Sequence, residues 1–557
     1  MPVEDGYRST EDVAAAPSTS QSANKAVTVD AEVHEIEEEQ DLVEGAPVEK
    51  HNPLGHGVSL TSATMLNLGQ LLGSGIFSVP GVILNSVGSV GLLLTLWLIA
   101  PIFAFLALLA YSELASMFPQ RSGAEVVYLE QAYPRPRFLV PTTFAITSVL
   151  LSYSATNSVV FAQYVLSIFD EPITDFNQTA LAVGVATFCV GLVGLSTKWS
   201  LRAVNLLTAL KVSSLVFIVL SGLAVLAGFT RVSDPFANFD NLWKGGSSNP
   251  NALSTALVKT NFAFVGWTNA FNVLSEVKGP NPVRTVRNAG FLSLSIVSVL
   301  LFLINVSYVA AVPPDEMKGS GQLVAALFFK RVFGDGWASK VLPVMVALSC
   351  VGNIVAVTVG QARVLREVAR QGLLPWPELF ASTKPFGTPL APVLLKYLLT
   401  VLVILALPAK DAYNFLLDLA SYPTLIFALA TGVGLWVLRR RRAEAGLAPS
   451  KYRVWNIAIV AWLANSSLLL VMPWVPPENG RADVSFWYAT YCVVGLSVLA
   501  LCGIYYYVWI VLLPRLGGYE IVEEVIELGG GARTACLVRR YHPQQDTQEE
   551  EPLLTTP

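Results

Sequence analysis

The chain has 557 residues, of which 53% are hydrophobic and only 14% are charged, whereas soluble domains carry about 25% charged residues. Its formal net charge of -4 divides unevenly, because residues 1–57 carry a net -10, residues 515–557 a net -4 and the body between them a net +10. This composition excludes an ordinary soluble protein. It predicts a membrane-embedded body beside anionic lipid, with two solvated acidic tails, and we expect the lipid bilayer and no nucleic acid as its surroundings.

Twelve apolar runs follow the N-tail. An apolar helix of about 18 residues or more can cross a bilayer, and its backbone polar groups are satisfied internally. The sequence therefore predicts an all-α polytopic membrane protein with twelve transmembrane helices over residues 58–513. The predicted helices are 58–85, 88–117, 138–169, 179–196, 200–229, 253–277, 286–312, 340–370, 389–408, 412–438, 452–474 and 485–513. We expect a disordered N-tail, residues 1–57, and a C-tail, residues 514–557, with a short amphipathic segment at 518–528.

The connections between these helices differ in positive charge. Those that follow even-numbered helices hold 18 Lys and Arg residues, and the others hold 8. The excess of positive charge marks the cytosolic side, so both tails are predicted to be cytosolic. The sequon at Asn177 then falls in an outer connection, where we predict N-glycosylation.

Predicted helix 1 contains a weak point. Gly73, Ser74 and Gly75 stand together in mid-span, where two glycines cost helix stability. The alternative is a small-residue face for helix packing. We predict a break in this helix.

Predicted helix 5 contains Lys211, the one base that we place deep in a predicted helix. It lies about 11 residues from the start, roughly 16 Å at the helical rise. A lysine at that depth is costly and therefore suspected of function, although snorkelling to the interface is the alternative.

Predicted helix 6 has a second weak point at Gly266, among aromatic and polar residues. Breaks in the first and sixth helices suit an inverted repeat of five plus five helices with two extra helices, and such matching interruptions indicate a substrate site near the midplane.

A broken helix offers free N–H groups at one end and free carbonyls at the other. A zwitterion complements both, so the carboxylate is expected at residues 74–76 and the ammonium at the carbonyls around Leu71 and residues 262–265. The predicted substrate-binding residues are Leu71, Gly73, Ser74, Gly75, Ile76, Phe262, Ala263, Phe264, Val265, Gly266 and Trp267.

Other chemistry has little support in the sequence. The four histidines lie near the chain ends, and the five cysteines show no metal-ligand spacing. A GxxxxGK[ST] phosphate loop is also missing. We therefore predict no metal site, no cofactor and no enzyme activity.

Three motifs carry a resemblance to a known family. They are residues 73–81, residues 111–129 and residues 361–375, and in this order and spacing they resemble the amino acid–polyamine–organocation permeases over about residues 58–513. The chain is most similar to the L-type branch, especially to fungal methionine-permease-like members. The resemblance implies the twelve-helix inverted-repeat fold, alternating access, and a lysine at Lys211 that takes the place of a sodium ion beside helix 1. Because burial disfavours the charged form of a lysine, we also expect Lys211 to take up and release a proton during the cycle. Val265 replaces a glycine of the branch, which narrows the predicted pocket.

The resemblance also implies a substrate and partners. We expect transport of a neutral L-amino acid, with methionine or another large neutral one as the candidate, coupled to protons. An exchanger or facilitator on the same fold and a non-transporting amino-acid sensor stay open as alternatives. The connection between helices 3 and 4 has no cysteine for a disulfide-linked heavy chain. Lys25 and Lys50 are candidates for a ubiquitin-ligase adaptor on the N-tail, and the expected location is the plasma membrane, with an endosomal or vacuolar membrane as the alternative.

Three acidic residues lie near the predicted cytosolic helix ends: Glu113, Glu125 and Glu276. We expect them to pair with Arg121, Arg284 or Arg363 when the inner side closes. Plain surface ion pairs, worth little, are the alternative.

Overall fold

The structure is a computed structural model. The residues that it describes are 43–44, 57–73, 75–119, 121–136, 139–169, 171–172, 174–320, 324–334, 337–406, 412–476, 487–528 and 532–541.

Helices make up most of the described chain. They are α1 (Leu60–Leu71), α2 (Gly75–Val87), α3 (Val90–Met117), α4 (Glu125–Ala132), α5 (Leu139–Leu150), α6 (Ala155–Ile168), α7 (Asp175–Leu195), α8 (Thr197–Leu226), α9 (Pro250–Phe262), α10 (Pro282–Ala311), α11 (Pro314–Gly319), α12 (Val324–Phe333), α13 (Trp337–Arg370), α14 (Pro377–Ala381), α15 (Leu390–Ala406), α16 (Ala412–Glu444), α17 (Asn456–Val471), α18 (Thr490–Tyr506) and α19 (Leu513–Gly517).

Within these described ranges, nine helical spans are long and apolar enough to cross a membrane, and one of them, Leu139–Ile168, comprises α5 and α6. The shorter apolar helix α15 joins them in the sequence of spans. The prediction of a helical, multi-pass membrane protein is confirmed. The count of twelve and the inverted repeat stay predictions, because predicted helices 1 and 6 are divided into pieces of 12 or 13 residues, α1, α2 and α9.

Predicted helix 3 is interrupted as well. Helix α5 ends at Leu150 and α6 begins at Ala155, with Ser152 and Ser154 buried in the irregular segment between them. The sequence predicts one uninterrupted helix over residues 138–169, because residues 151–154, where the break lies, contain no glycine or proline to mark it.

The C-tail contains a β-hairpin, which corrects two expectations. Strands β2 (Tyr519–Leu528) and β3 (Ala532–Tyr541) pair antiparallel, and β1 (Val43–Glu44) pairs with the other edge of β3. The chain is therefore not all-α, and Val43–Glu44 of the predicted disordered N-tail form a strand. The amphipathic segment predicted at 518–528 coincides with β2. The β-branched residues of β2 and cross-strand charge pairs such as Glu520 opposite Arg540 favour this pairing. The rest of the predicted disordered N-tail lies outside the described residues.

Helix α1 occupies the middle of the bundle. It packs against α8, α10 and α13, while α6 packs against α7 and α13. This packing places the break between α1 and α2 at the centre of the molecule, within reach of three other helices.

Candidate substrate-binding site

The break predicted in helix 1 is present. Helix α1 ends at Leu71, and Leu72 leaves helical geometry with φ -84° and ψ 63°. Helix α2 starts again at Gly75, with Ile76 in its first turn, so the main-chain amides of that turn lack partners within the helix. Ser74 lies outside the described residues.

The break predicted in helix 6 is a longer turn. Helix α9 ends at Phe262, the chain turns through Ala263 to Ala270, and a 3₁₀ helix, Phe271–Glu276, follows. Gly266 has φ +132°, a backbone conformation that glycine adopts more readily than any other residue. This glycine therefore shapes the turn.

The two breaks meet each other. A Cβ built on Gly266 would lie 2.8 Å from Cγ of Gln70 and 2.9 Å from the nitrogen of Leu71. The amide of Ala270 also donates a hydrogen bond of 2.8 Å to Oδ1 of Asn67. The main chains of the two interrupted helices are thus held together at one point.

A cavity of about 180 Å³ lies at this junction. Of the predicted substrate-binding residues, it is lined by Leu71, Gly73, Phe262, Ala263 and Val265. Its volume is below the 300 Å³ or so at which pockets for drug-sized ligands begin. The cavity suits a small solute.

A second cavity of about 360 Å³ adjoins the first. Phe264, Gly266 and Trp267 line it, and Val265, with 47% of its surface exposed, lines both cavities. The structure thus brings the predicted helix-6 residues and two of the helix-1 residues to the same pair of cavities. Beyond the main chain, Gly75 and Ile76 lie outside the described residues, so their place in the site stays a prediction.

Several residues that line these cavities have a buried polar atom without a hydrogen-bond partner among the described residues. A buried polar group is normally satisfied, so an unpaired one beside a cavity marks a place where a ligand or water can bind. The atoms are Oγ of Ser154 at the smaller cavity, and Nδ2 of Asn261, Oδ1 of Asn272, Oε1 of Gln361 and Oδ1 of Asn465 at the larger one.

Lys211 stands behind the helix-1 break. Its Nζ donates hydrogen bonds of 3.1 Å to the carbonyl of Gly69 and 2.8 Å to the carbonyl of Leu72, and the residue is 4% exposed. It does not snorkel to an interface. Gly352 on α13 makes room for it, because a Cβ there would lie 2.9 Å from Cε of Lys211.

The carbonyls at this break accept further hydrogen bonds from α13. Asn353 on α13 donates through Nδ2 to the carbonyls of Gly69 and Gln70, at 3.2 and 2.6 Å. Ser349 donates to the carbonyl of Leu72 at 3.2 Å. Sequence reasoning missed both residues, because hydroxyl and amide side chains in an apolar run give no signal of what they contact.

Lys211 is not the only buried lysine, which corrects the expectation of a single base deep in a predicted helix. Lys259 on α9 and Lys396 on α15 are each 1% exposed. Both fall inside predicted helices, 253–277 and 389–408, so their position in an apolar run was the signal that could have found them.

The acidic residues near the predicted cytosolic ends pair differently from expectation in two of three cases. Glu276 pairs with Arg363 at 3.0 Å, as predicted. Glu113 instead accepts from Nε of Arg439 at 2.8 Å, and Glu125 accepts from the hydroxyl of Tyr111 at 2.7 Å. The packing of helices that are distant in the sequence brings these partners together, so positions along the chain did not indicate them.

The predicted outer connection between helices 3 and 4 is short. Asn177 lies in the first turn of α7 and is partly buried, and its amide donates to the side chain of Thr174, which caps the helix. Its glycosylation stays a prediction.

Broken helices around a small central cavity, within a bundle of apolar spans, define a membrane permease of the broken-helix class. A family model described as amino acid permease matches residues 58–499. The chain belongs to this family, the amino acid–polyamine–organocation permeases, and the resemblance inferred from the three motifs is confirmed.

Curated relatives agree with this assignment. The chain is 33% identical to the high-affinity methionine permease of Saccharomyces cerevisiae, over 88% of this chain and 86% of the relative. It is 29% identical to the low-affinity methionine permease of the same organism, over 86% and 87%. It is 26% identical to the human cystine/glutamate transporter, over 90% and 93%.

Proposed function

We propose that this permease moves a neutral L-amino acid, with methionine as the leading candidate, across the membrane by alternating access, in a cycle coupled to protons. The observation that carries the proposal is the cavity of about 180 Å³ between the two helix breaks, lined by Leu71, Gly73, Phe262, Ala263 and Val265. The yeast methionine permeases among its relatives favour methionine.

The main chain at the breaks supplies opposite partial charges for a zwitterion. The carboxylate is assigned to the amides that open α2, around residues 74–76. The carbonyls of Gly69, Gln70 and Leu72 already accept side-chain hydrogen bonds. In the helix-6 turn the Phe262 carbonyl accepts the amide of Val265, so the ammonium is assigned to the carbonyls of Ala263 and Val265. The side chain of the substrate then extends past Val265 toward the larger cavity.

The larger cavity extends the proposed site away from the helix breaks. It reaches from Val265 to Glu125 on α4 and Val364 on α13, which lie toward the predicted cytosolic side. Both tails are proposed to lie in the cytosol.

Lys211 is the proposed coupling residue. Its ammonium holds the carbonyls of Gly69 and Leu72, a place where a cation stabilises the broken main chain. Loss of the proton weakens both hydrogen bonds and frees the break to move, so that proton uptake and release at Lys211 are tied to the shape of the substrate site.

Uptake by cells that lack their own methionine permeases tests the proposal. Labelled methionine, leucine and arginine are supplied at several external pH values, and methionine uptake is expected to saturate and to rise as the external pH falls. Uptake that ignores pH and requires an internal amino acid would establish the exchanger instead. Binding of methionine to the purified protein without any uptake would establish the sensor.

The cellular setting is proposed on the same grounds. We expect the plasma membrane, with the endosomal or vacuolar membrane as the alternative, and fluorescence microscopy of a tagged chain distinguishes them. The connection before α7 offers no cysteine to a heavy chain, so the permease is proposed to work without one. Lys25 and Lys50, the proposed ubiquitination sites, lie outside the described residues.

A further inference from the structure

The break in helix 3 is held by the side chains of α15. Nζ of Lys396 donates a hydrogen bond of 2.7 Å to the carbonyl of Ser152, and the amide of Ser154 donates one of 3.0 Å to Oγ1 of Thr400. Lys396 and Thr400 are four residues apart, so they share one face of α15. One face therefore satisfies both a free carbonyl and a free amide of the interrupted main chain.

Burial of the Lys396 ammonium makes this arrangement energetically costly, which favours a functional role for it. Lys396 is 1% exposed, and within the described part of the chain it has no carboxylate at ion-pair distance. A buried ammonium is expensive in a membrane helix. An apolar residue paired with an unbroken helix 3 would avoid that cost.

The break lines the substrate cavity. Leu151, Tyr153 and Ser154 contribute to the cavity of about 180 Å³, and the buried hydroxyl of Ser154 has no partner among the described residues. The same segment leads to Asn157, whose Nδ2 donates at 2.9 Å to Oδ1 of Asn353, the residue that binds the helix-1 break.

We infer that Lys396 and Thr400 are positioning residues of the substrate site: they fix the helix-3 break so that the hydroxyl of Ser154 faces the bound amino acid. Neither residue lines the cavity, so each acts through the main chain of residues 152–154. The inference rests on the proposed transport function and adds a third interrupted helix to the wall of the site.

Methionine uptake into proteoliposomes tests this role, with KM and maximal rate measured separately. Lys396→Met is expected to raise KM about tenfold, the factor for losing one hydrogen bond from a charged donor. Thr400→Val, which loses a hydrogen bond between neutral groups, is expected to raise KM about threefold. Maximal rate per inserted transporter should change little. Tyr397→Phe is the matched control on the same helix, because it removes a hydrogen bond of 2.8 Å to Thr187 that does not involve the break, and it should leave KM unchanged.

The link to Ser154 is tested by a double-mutant cycle. Ser154→Ala alone should raise KM, and adding Lys396→Met should raise it by less than the product of the two single effects, because both act on one hydroxyl.

Fully multiplicative effects would overturn the inference. An unchanged KM in Lys396→Met would also overturn it; if that variant fails to insert, an unchanged KM in Thr400→Val does so. Wild-type protein without uptake or binding of methionine would refute the proposed methionine substrate itself, and this result is distinct from a failure of the variants alone.

Discussion

Gly266 contacts Leu71 so closely that the two interrupted helices share one junction: a Cβ on Gly266 would lie 2.9 Å from the Leu71 nitrogen. Its φ of +132° adds a second restriction, because side chains rarely adopt that conformation. Both the turn in helix 6 and the end of α1 depend on this position. The junction between them forms one end of the proposed substrate site.

Gly266→Ala is therefore expected to abolish methionine uptake. Backbone strain of about 1–3 kcal/mol adds to the clash with Gln70 and Leu71. Gly184→Ala on α7 is the control, because a Cβ there meets nothing within 4 Å. Uptake and surface abundance are measured for both variants, and normal uptake by Gly266→Ala would show that the two breaks can separate without loss of function.

Val265 is expected to limit the size of the substrate. Its side chain is 47% exposed and lines both cavities, so Val265→Gly widens the passage between them. The kcat/KM for phenylalanine divided by the kcat/KM for methionine should rise about tenfold, the effect of a small change in an apolar pocket. Val265→Ala should give an intermediate ratio. An unchanged ratio in both variants would place the substrate side chain elsewhere.

Lys211→Met is expected to reduce uptake at least tenfold at every pH and to remove the stimulation by acid. The reason is the loss of two hydrogen bonds from a buried ammonium, each worth about 1.5–3 kcal/mol. Uptake is measured across external pH in cells with matched surface levels of transporter.

Ser214→Ala is the control for Lys211. It changes a half-buried residue of the same helix, α8, whose hydroxyl donates to the carbonyl of Leu210 within that helix, and uptake should stay normal. If Lys211→Met kept both its uptake and its response to pH, the coupling role would have to be abandoned.

Glu125 makes stability depend on pH. Burial raises the pKa of its carboxyl above the ordinary value of 4.5, while the hydrogen bond from Tyr111 opposes that shift. At a pH between the ordinary and the raised pKa, the folded protein holds a proton that the unfolded chain has lost. The contribution of this group to stability therefore falls as the pH rises above the ordinary pKa.

Glu125→Gln should remove this penalty and still accept the hydrogen bond from Tyr111. Its melting temperature in detergent should exceed that of the wild type at pH 8, and the difference should shrink toward pH 5. Glu171→Gln changes an exposed carboxyl and serves as the control, with no expected change. A lower melting temperature for Glu125→Gln at pH 8 would contradict the burial argument.

The sequence by itself determined the membrane spans, the breaks in helices 1 and 6 and the unusual depth of Lys211. These features are local: apolar runs decide where a helix can cross a membrane, and glycines decide where it gives way. The motifs at residues 73–81, 111–129 and 361–375 added the family.

The tertiary structure alone decided which groups meet. Ser154 and Thr400 are 246 positions apart, and the break that they hold contains no glycine to announce it. Glu113 likewise meets Arg439, 326 positions away. A buried polar group takes whichever partner the packed helices bring within hydrogen-bond distance, and that choice depends on the assembled bundle, which no single stretch of sequence encodes.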